Sequence, residues 1–397
     1  MATSLTYNFD ELNDRFSTPA AKFKKEYLLE LFDTDDLYPF WIADQDFKTS
    51  PDIISSLEER ARNGIFGYEC KSQDFKSIVK AWYSNQYDCK VKPEWMQFTP
   101  TIMSSMAMAV DLFTSPKDQV IIQPPVYKEF KNVLHKTDRN IVTNCLQLKG
   151  NRYEMNFSEL DEISKPKDVT AIMVCNPHNP GGRFWTHSEL QKLVDLALKN
   201  NLLVISDEIH ADVVFSGKKF TSLLSFPEIQ NQLVVCYSPA KIFNIASISD
   251  SLCIIPNKEL RYEFDKLRNR YTMGRTNAFS QVAWTTGFTK GSKWIKELNL
   301  YLETNVNYIN QFIQDNLPEI TCIAQDGTYL VWLDMSKLSI QGDELIKFLA
   351  KNAQVGLTNG RAFGVEGESF VRMNISCPLS IIQQSMASIK QALALLK

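Results

Sequence analysis

Two apolar segments on either side of an amphipathic pattern constrain the fold of this chain more than any other feature. Val169–Cys175 and Leu202–Ser206 are each apolar enough to form a strand that is buried on both faces. Between them, Thr186 and Glu189 have the spacing of a helix capping box. The apolar residues that follow at helical intervals are Leu190, Leu193, Val194, Ala197 and Leu198. The pattern predicts a βαβ unit with two parallel strands.

The alternation of strand and helix patterns continues over a much longer stretch. It runs from about residue 139 to residue 256, which predicts a mostly parallel sheet with helices on both faces. Helical patterns dominate from Lys258 onward, and a long one from Lys293 to Phe312 predicts a bridge to a smaller domain. We therefore expect an α/β fold with a large domain over 49–290 and a smaller α+β domain built from 1–48 and 291–397.

Composition and charge exclude several classes of protein. The 397 residues carry a net charge of −3, so we expect no nucleic acid and no anionic membrane as the main partner. The eight cysteines are scattered without a Cys-x-x-Cys pair, which predicts free thiols in a reducing cytoplasm and argues against a disulfide framework or a metal site. Residues 1–10 lack the basic and apolar regions of a signal peptide, and no apolar run is long enough to predict a membrane span.

Polar side chains follow the predicted strands at the points where those strands end. Asn179 lies in a turn made rigid by proline after the first strand of the βαβ unit, and Asp207 directly follows the second. A third apolar run, Gln232–Tyr237, leads into a short turn that contains Lys241. Ligands bind at this edge of open α/β sheets. Apolar neighbours can desolvate a lysine amine and lower its pKa, which suits Schiff-base chemistry, although a solvated surface lysine is the alternative.

Three separated motifs carry a resemblance to a known family. Asn176–Gly182, Ser206–His210 and Ser238–Asn244, in this order and spacing, resemble the fold-type-I pyridoxal-phosphate enzymes. With Pro39–Phe47 and Phe370–Pro378, the chain is similar to the cysteine-S-conjugate β-lyase branch, which is cystathionine β-lyase-like and includes the maltose-regulon modulator. The resemblance implies an aspartate aminotransferase-like fold with a seven-stranded sheet, pyridoxal 5′-phosphate as cofactor, and a homodimer.

The same resemblance implies a reaction. Enzymes of this branch eliminate a thiol from Cβ of cystathionine or cysteine-type thioethers and release pyruvate and ammonia. Two alternatives stay open at this point, namely an aminotransferase of class I or II and a lyase that also acts as a regulatory binding protein. Gln45 stands where relatives often have methionine, which bears on substrate detail.

The resemblance also assigns roles to individual residues. Lys241 is the expected catalytic residue, acting as cofactor anchor and as general base. The expected cofactor-binding residues are Ile102, Met103, Tyr127, Asn179, Asp207, His210, Ser238 and Lys241, together with Tyr68 reaching across the dimer interface. The expected substrate-binding residues are Arg372, Trp41 and Asn179.

Five of these side chains also have a purely structural interpretation. Tyr68 could be an aromatic that packs from the surface into the core, and Tyr127 could pack its own loop. Asp207 could cap a helix. His210 could make a buried polar contact instead of lining the cofactor's edge, and Arg372 could form a structural salt bridge.

Two positions depart from the pattern of the resembled family at the expected phosphate site. Ala240 stands where the family usually has serine or threonine, so one hydroxyl contact to the phosphate is expected to be missing. Thr101 stands where many fold-type-I relatives have glycine. The first departure predicts weaker retention of the cofactor, by about 1 kcal/mol for one hydrogen bond.

Overall fold

A computed structural model describes residues 5–71 and 73–396. The strands are β1 Tyr38–Pro39, β2 Met96–Thr99, β3 Gln119–Ile122, β4 Asn140–Thr143, β5 Gln147–Lys149, β6 Arg152–Glu154, β7 Val169–Cys175, β8 Leu203–Asp207, β9 Leu233–Tyr237, β10 Ser251–Ile254, β11 Thr321–Cys322, β12 Leu330–Asp334, β13 Val355–Gly356, β14 Thr358–Asn359 and β15 Phe370–Asn374. The helices are α1 Lys25–Phe32, α2 Pro51–Asn63, α3 Gln73–Tyr87, α4 Ile102–Phe113, α5 Lys128–Lys136, α6 Phe157–Ile163, α7 His187–Lys199, α8 Lys258–Arg270, α9 Ala278–Lys290, α10 Ser292–Asn316, α11 Gly342–Ala353 and α12 Leu379–Leu393.

The larger sheet has seven strands in the order β2-β10-β9-β8-β7-β3-β4. The pairs β3–β4, β3–β7, β7–β8 and β8–β9 are parallel, and β10 is antiparallel to both of its neighbours. The predicted α/β class with a mostly parallel seven-stranded sheet is therefore confirmed. Because β2, β3, β7, β8 and β9 point the same way, their carboxyl ends meet at one edge of the sheet.

The predicted βαβ unit is β7-α7-β8. Thr186 caps α7, and the Glu189 side chain accepts from the Thr186 N–H at 2.8 Å, which completes the capping box. Leu190, Leu193, Val194 and Ala197 are buried as predicted. Leu198 is 39% exposed, so its assignment to the buried face is wrong. At about 100° per residue, Leu198 lies about 90° from the centre of the four buried positions, at the edge of that face.

Apolar layers cover both faces of the larger sheet. Alternate residues of β7 point to opposite sides, so Val174 belongs to one buried cluster and Met173 to the other. Val204 and Ile205 of β8 are divided in the same way. Burial on both faces explains why these strands read as continuous apolar runs and not as alternating ones.

A second sheet has four strands in the order β11-β12-β15-β14, and its pairs are antiparallel. The helix α10 precedes this sheet, and α11 and α12 flank its later strands in the chain. The short strand β1 pairs with β13 in parallel, which ties the N-terminal part of the chain to this region. No helix in the described part of the chain combines the length and apolarity that a bilayer crossing requires.

Candidate active site

A cavity of about 460 Å³ lies at the carboxyl ends of the central strands. The predicted site residues that line it are Trp41, Ile102, Met103, Tyr127, Asn179, Asp207, His210, Ser238, Lys241 and Arg372. A larger depression of about 750 Å³ lies elsewhere, around Tyr68 and Arg60, and it is lined by none of these ten. The smaller cavity therefore gathers side chains that are up to 331 positions apart in the sequence.

Lys241 lies in the turn that follows β9, in the wall of the cavity. Its Nζ donates a hydrogen bond to the carbonyl oxygen of Ala43. Part of its surface opens into the cavity, but protein surrounds the amine, and desolvation lowers the pKa of Lys241 to about 8. The negative charges of Asp44 and Asp207 oppose this shift, and the positive charge of Arg372 adds to it. The solvated-surface alternative for this lysine is wrong.

Asp207 is the last residue of β8 and is 4% exposed. Burial raises the pKa of its carboxyl to about 6, against the lowering effects of the Ile209 N–H and the Lys241 charge. That N–H, at 3.2 Å from Oδ1, is its only hydrogen-bond donor among the described residues. The helix-cap interpretation of Asp207 is wrong, because turns and not a helix follow β8.

His210 lies three residues beyond Asp207 and is buried. Its ring packs against the Tyr329 ring in a T-shaped arrangement, with centroids 5.6 Å apart. Burial, reinforced by the charges of Lys241 and Arg372, lowers its pKa well below the usual value, so the imidazole is neutral at pH 7. Its Nδ1 has no hydrogen-bond partner in the described part of the chain. The site thus contains an unpaired polar atom that a ligand could satisfy.

Arg372, on β15, joins the smaller sheet to the strand-end turn of β7. Its Nη1 donates to Asn179 Oδ1 at 3.2 Å and its Nη2 donates to the Trp41 carbonyl at 2.7 Å. The guanidinium also lies 4.9 Å from the centre of the Phe363 ring. Burial lowers the pKa of Arg372 to about 10, so the guanidinium stays charged at pH 7.

No carboxylate of the described residues pairs with the Arg372 guanidinium, and its Nε has no partner there. The structural salt-bridge interpretation is therefore wrong. A buried and unpaired guanidinium is well suited to receive a carboxylate from outside the chain.

The start of α4 also lines the cavity. The Thr101 side chain accepts from the Ser104 N–H, which completes a capping box. The N–H groups of Ile102 and Met103 lie in the first turn, where no intrahelical acceptor exists, so they are available to an anion. Ser238 lines the same cavity, and its hydroxyl donates to the Asp250 carbonyl at 2.8 Å. Ala240 lies beside it in the cavity wall.

Two predicted aromatic residues have different positions. Tyr127 precedes α5 and lines the cavity, while it also packs against both apolar clusters. Burial raises the pKa of Tyr127 to about 12, so its hydroxyl is protonated at pH 7.

Tyr68 does not reach this cavity within one chain. Its side chain is 92% exposed with Arg275 over its ring, so the interpretation as a residue packing into the core is wrong.

Sequence reasoning did not explain the wall segment, residues 41–47, whose first three residues line the cavity. It forms no helix or strand, yet each of its seven carbonyl oxygens accepts a hydrogen bond from a side chain. The donors are Asn13, Arg15, Lys241, Asn244, Tyr329, Thr358, Arg372 and Asn374. These side-chain hydrogen bonds satisfy the backbone carbonyls that a neighbouring strand would satisfy in a sheet, and they hold the segment in one position.

Other cavity-lining residues were also missed, among them Lys128, Cys175, Thr358 and Phe363. A proline-rich turn after β3 leads to Lys128, and Cys175 ends β7. Both therefore lie near the carboxyl ends of parallel strands, which is the criterion that identified Asp207. That criterion could have found them. Nothing in the sequence near Thr358 or Phe363 indicates that they face the site.

The donor set fits pyridoxal 5′-phosphate. Free helix N–H groups at Ile102 and Met103 suit a phosphate, and the amine of Lys241 in the cavity wall suits an aldehyde. The Asp207 carboxylate, which accepts a single hydrogen bond within the described residues, suits a protonated ring nitrogen. Asn179 accepts from Arg372 through Oδ1, which leaves its NH₂ group to donate.

Comparison with known proteins supports this assignment. The family model for aminotransferase class I and II matches residues 42–389. The chain belongs to this family. Among the curated relatives of this class I/II chain, cystathionine beta-lyase PatB of Bacillus subtilis is 38% identical over 388 residues, covering 98% of this chain and all of PatB. Protein MalY of Escherichia coli is 27% identical, with 98% of this chain and 99% of MalY covered.

Solved structures of this family show the same architecture. Cystalysin from Treponema denticola, which contains pyridoxal 5′-phosphate, superposes with a TM-score of 0.95 at 30% identity, covering 99% of this chain and 100% of cystalysin. The pyridoxal-phosphate-bound C-S lyase from Staphylococcus hominis superposes with a TM-score of 0.91 at 28% identity, covering 98% and 99% of the two chains.

Proposed function

We propose that this protein is a pyridoxal-phosphate-dependent carbon-sulfur β-lyase. It cleaves the Cβ–S bond of cystathionine or a cysteine-type thioether and releases a thiol, pyruvate and ammonia. The observation that carries the proposal is the gathering of Lys241, Asp207, Asn179 and Arg372 around one cavity, in a chain similar over 98% of its length to a cystathionine β-lyase. The cofactor, when bound, supplies an electron sink for charge that develops at Cα.

The residues at one end of the cavity hold the cofactor. The N–H groups of Ile102 and Met103 bind its phosphate at the positive end of α4. Ser238, whose hydroxyl donates to the Asp250 carbonyl here, would supply a further donor to the phosphate. Tyr127 and His210 line the cavity and would contact the cofactor ring, and the neutral imidazole of His210 would add no charge beside it.

Asp207 and Asn179 tune the cofactor. A carboxylate at the ring nitrogen favours the protonated pyridine, which withdraws electrons well. The Asn179 NH₂ group would donate to the phenolic oxygen of the cofactor. Since both side chains are buried and follow strands of one sheet, their positions are set by the sheet itself and not by mobile loops.

Lys241 moves the protons of the reaction. A pKa near 8 leaves a useful fraction of free amine at neutral pH, so the side chain takes the proton from the substrate's Cα. It then gives a proton to the sulfur that leaves Cβ. Proximity of the amine to both atoms is required, and the hydrogen bond to Ala43 holds it in one wall of the cavity.

Arg372 and Trp41 recognise the substrate. The fork of Arg372 pairs with the α-carboxylate that every amino-acid substrate carries, assisted by Asn179. Trp41 lines the cavity beside it, fixed by a hydrogen bond from its indole N–H to the Lys22 carbonyl at 3.0 Å. Its ring forms a wall for the side chain that is cleaved.

We also propose a homodimer in which Tyr68 reaches the cofactor phosphate of the partner. The support is an exposed apolar surface, since Ile65, Phe66 and Tyr68 are 73%, 55% and 92% exposed, and Ile65 and Tyr68 line the larger depression. A cytoplasmic location is supported by eight free thiols.

The domain division at 48/49 and 290/291 is a further proposal. Its support is that the seven-stranded sheet uses residues 96–254 and the four-stranded sheet uses residues 321–374.

The reaction is tested by adding L-cystathionine to the purified, pyridoxal-phosphate-loaded protein. Pyruvate is followed with lactate dehydrogenase and the released thiol with a chromogenic disulfide, with Lys241→Ala as control. We expect pyruvate and thiol in equal amounts, both abolished in the variant. Conversion of an added 2-oxo acid to its amino acid, without pyruvate from the substrate carbon chain, would identify an aminotransferase instead.

A further inference from the structure

Gln45 contacts the turn that carries Lys241 although it does not line the cavity. It is 1% exposed, and its Nε2 donates to the carbonyl oxygens of Lys241 and Ile242 at 2.5 and 3.1 Å. Two successive carbonyls of the lysine turn are therefore bound by one amide from a segment nearly 200 residues away. Its place within the wall segment 41–47 puts it two residues beyond Ala43, whose carbonyl accepts from Lys241 Nζ.

Asn244 makes the reverse set of contacts. Its Oδ1 accepts from the Gln45 N–H at 3.1 Å, and its Nδ2 donates to the carbonyls of Gln45 and Phe47 at 2.9 Å each. Asn244 has a φ of 53°, in the left-handed region, which asparagine tolerates better than most residues. Each segment thus has its backbone bound by a side-chain amide of the other. We call this arrangement the amide clamp.

The amide clamp holds the Lys241 backbone and the acceptor of the Lys241 amine in a fixed relative position. The Cα end is held because the carbonyl of Lys241 is bound by Gln45. The amine end is held by Ala43, in the same segment as Gln45, and the Ala43 carbonyl also accepts from the Tyr329 hydroxyl at 3.2 Å. A slip of segment 41–47 along the turn would therefore displace the amine from its acceptor.

Burying the Gln45 amide has a free-energy cost that an apolar side chain of the same size would not have. Its Oε1 is buried without a hydrogen-bond partner in the described part of the chain. Leaving a buried acceptor unpaired is unfavourable, and a methionine of similar length would avoid that cost. What methionine cannot do is donate to the carbonyls of Lys241 and Ile242.

We propose that Gln45 is a positioning residue for Lys241. Through the amide clamp it holds the lysine turn in register with the Ala43 carbonyl, so that the amine stays at one place in the cavity wall. This inference rests on the proposed function for the role of Lys241, but the position of the amine is a property of the protein without cofactor. Gln45 itself does not line the cavity, so it acts on the amine through the lysine turn.

The test compares Gln45→Met with Gln232→Met. Gln232 is a matched control, because its Nε2 also donates to two backbone carbonyls, those of Ala197 and Leu202 at 2.9 and 2.6 Å, away from the cavity. In the cofactor-free proteins, the rate of reductive methylation at Lys241 is measured against pH by mass spectrometry. Wild type and Gln232→Met are expected to show a midpoint near pH 8. In Gln45→Met, water reaches the loosened amine, so the midpoint moves upward.

A second measurement uses the loaded enzymes. We expect Gln45→Met to lower kcat at least tenfold with KM within twofold of wild type, and Gln232→Met to change neither. A folded Gln45→Met protein with an unchanged Lys241 midpoint and an unchanged kcat would overturn the proposal. If the reaction proves to be transamination, the methylation profile still decides, because it requires no turnover.

Gln45→Asn covers the case in which Gln45→Met does not fold. Asparagine keeps an amide at this position but is one methylene too short to reach both carbonyls. The same upward shift of the Lys241 midpoint is expected. A wild-type profile in this variant would show that the reach of the amide does not matter and would equally refute the proposal.

Discussion

Restoring the missing hydroxyl at position 240 should strengthen cofactor binding. Ala240 is 9% exposed and lines the cavity beside Ser238. One added hydrogen bond contributes about 1 kcal/mol, and one to a charged acceptor contributes about 1.5–3 kcal/mol. Because 1.4 kcal/mol corresponds to a factor of ten, Ala240→Ser should lower the dissociation constant of pyridoxal phosphate about fivefold, and more if the phosphate is its acceptor.

The assay is a titration of cofactor-free protein with pyridoxal phosphate, followed by quenching of tryptophan fluorescence, for which Trp41 in the cavity wall is well placed. Ala362→Ser is the control, because Ala362 lines the same cavity beside Phe363, close to Arg372. We expect its dissociation constant to match wild type. Equal constants for wild type and Ala240→Ser would refute the reasoning, as would equal tightening in both variants.

Three further predictions follow from the charges and exposure of the site. Burial raises the Asp207 pKa from 3.8 to about 6, so its ionised form costs the cofactor-free protein about 3 kcal/mol at pH 7. Asp207→Asn should therefore raise the melting temperature at pH 7, with the gain fading as pH falls from about 6 to below 4; no gain at pH 7 contradicts this. Arg372→Lys should raise the KM for amino-acid substrates at least about tenfold through loss of the fork, and an unchanged KM would exclude carboxylate binding there. Tyr68→Phe should weaken cofactor binding about fivefold while Tyr271→Phe, another exposed tyrosine, should not; equal constants for both would remove the partner contact.

The strand-end residues could be predicted from the sequence because their positions follow from local rules. Continuous apolar runs identify β7, β8 and β9, and parallel neighbours bring their carboxyl ends together. Asp207 ends β8, and Asn179 and Lys241 lie in the turns that follow β7 and β9, so the topology places them around one cavity.

Other features could not be predicted because they depend on partners far apart in the chain. The segment 41–47 has no periodicity, and its order comes from side chains as distant as Asn374, which binds the carbonyls of Ile42 and Asp44. The role of Gln45 likewise cannot be inferred from the sequence, because it depends on a hydrogen bond to the carbonyl of Lys241, which is 196 positions away. The cap interpretation of Asp207 failed because the sequence does not reveal that turns follow β8.

The identity of the lysine that binds the cofactor is the central claim, and one measurement tests it directly. The loaded protein is reduced with borohydride and digested, and the pyridoxyl adduct is located by mass spectrometry. We predict an adduct on the peptide that contains Lys241. An adduct on Lys128, which also lines the cavity, or on another lysine would contradict the account, as would a protein that retains no cofactor after reduction.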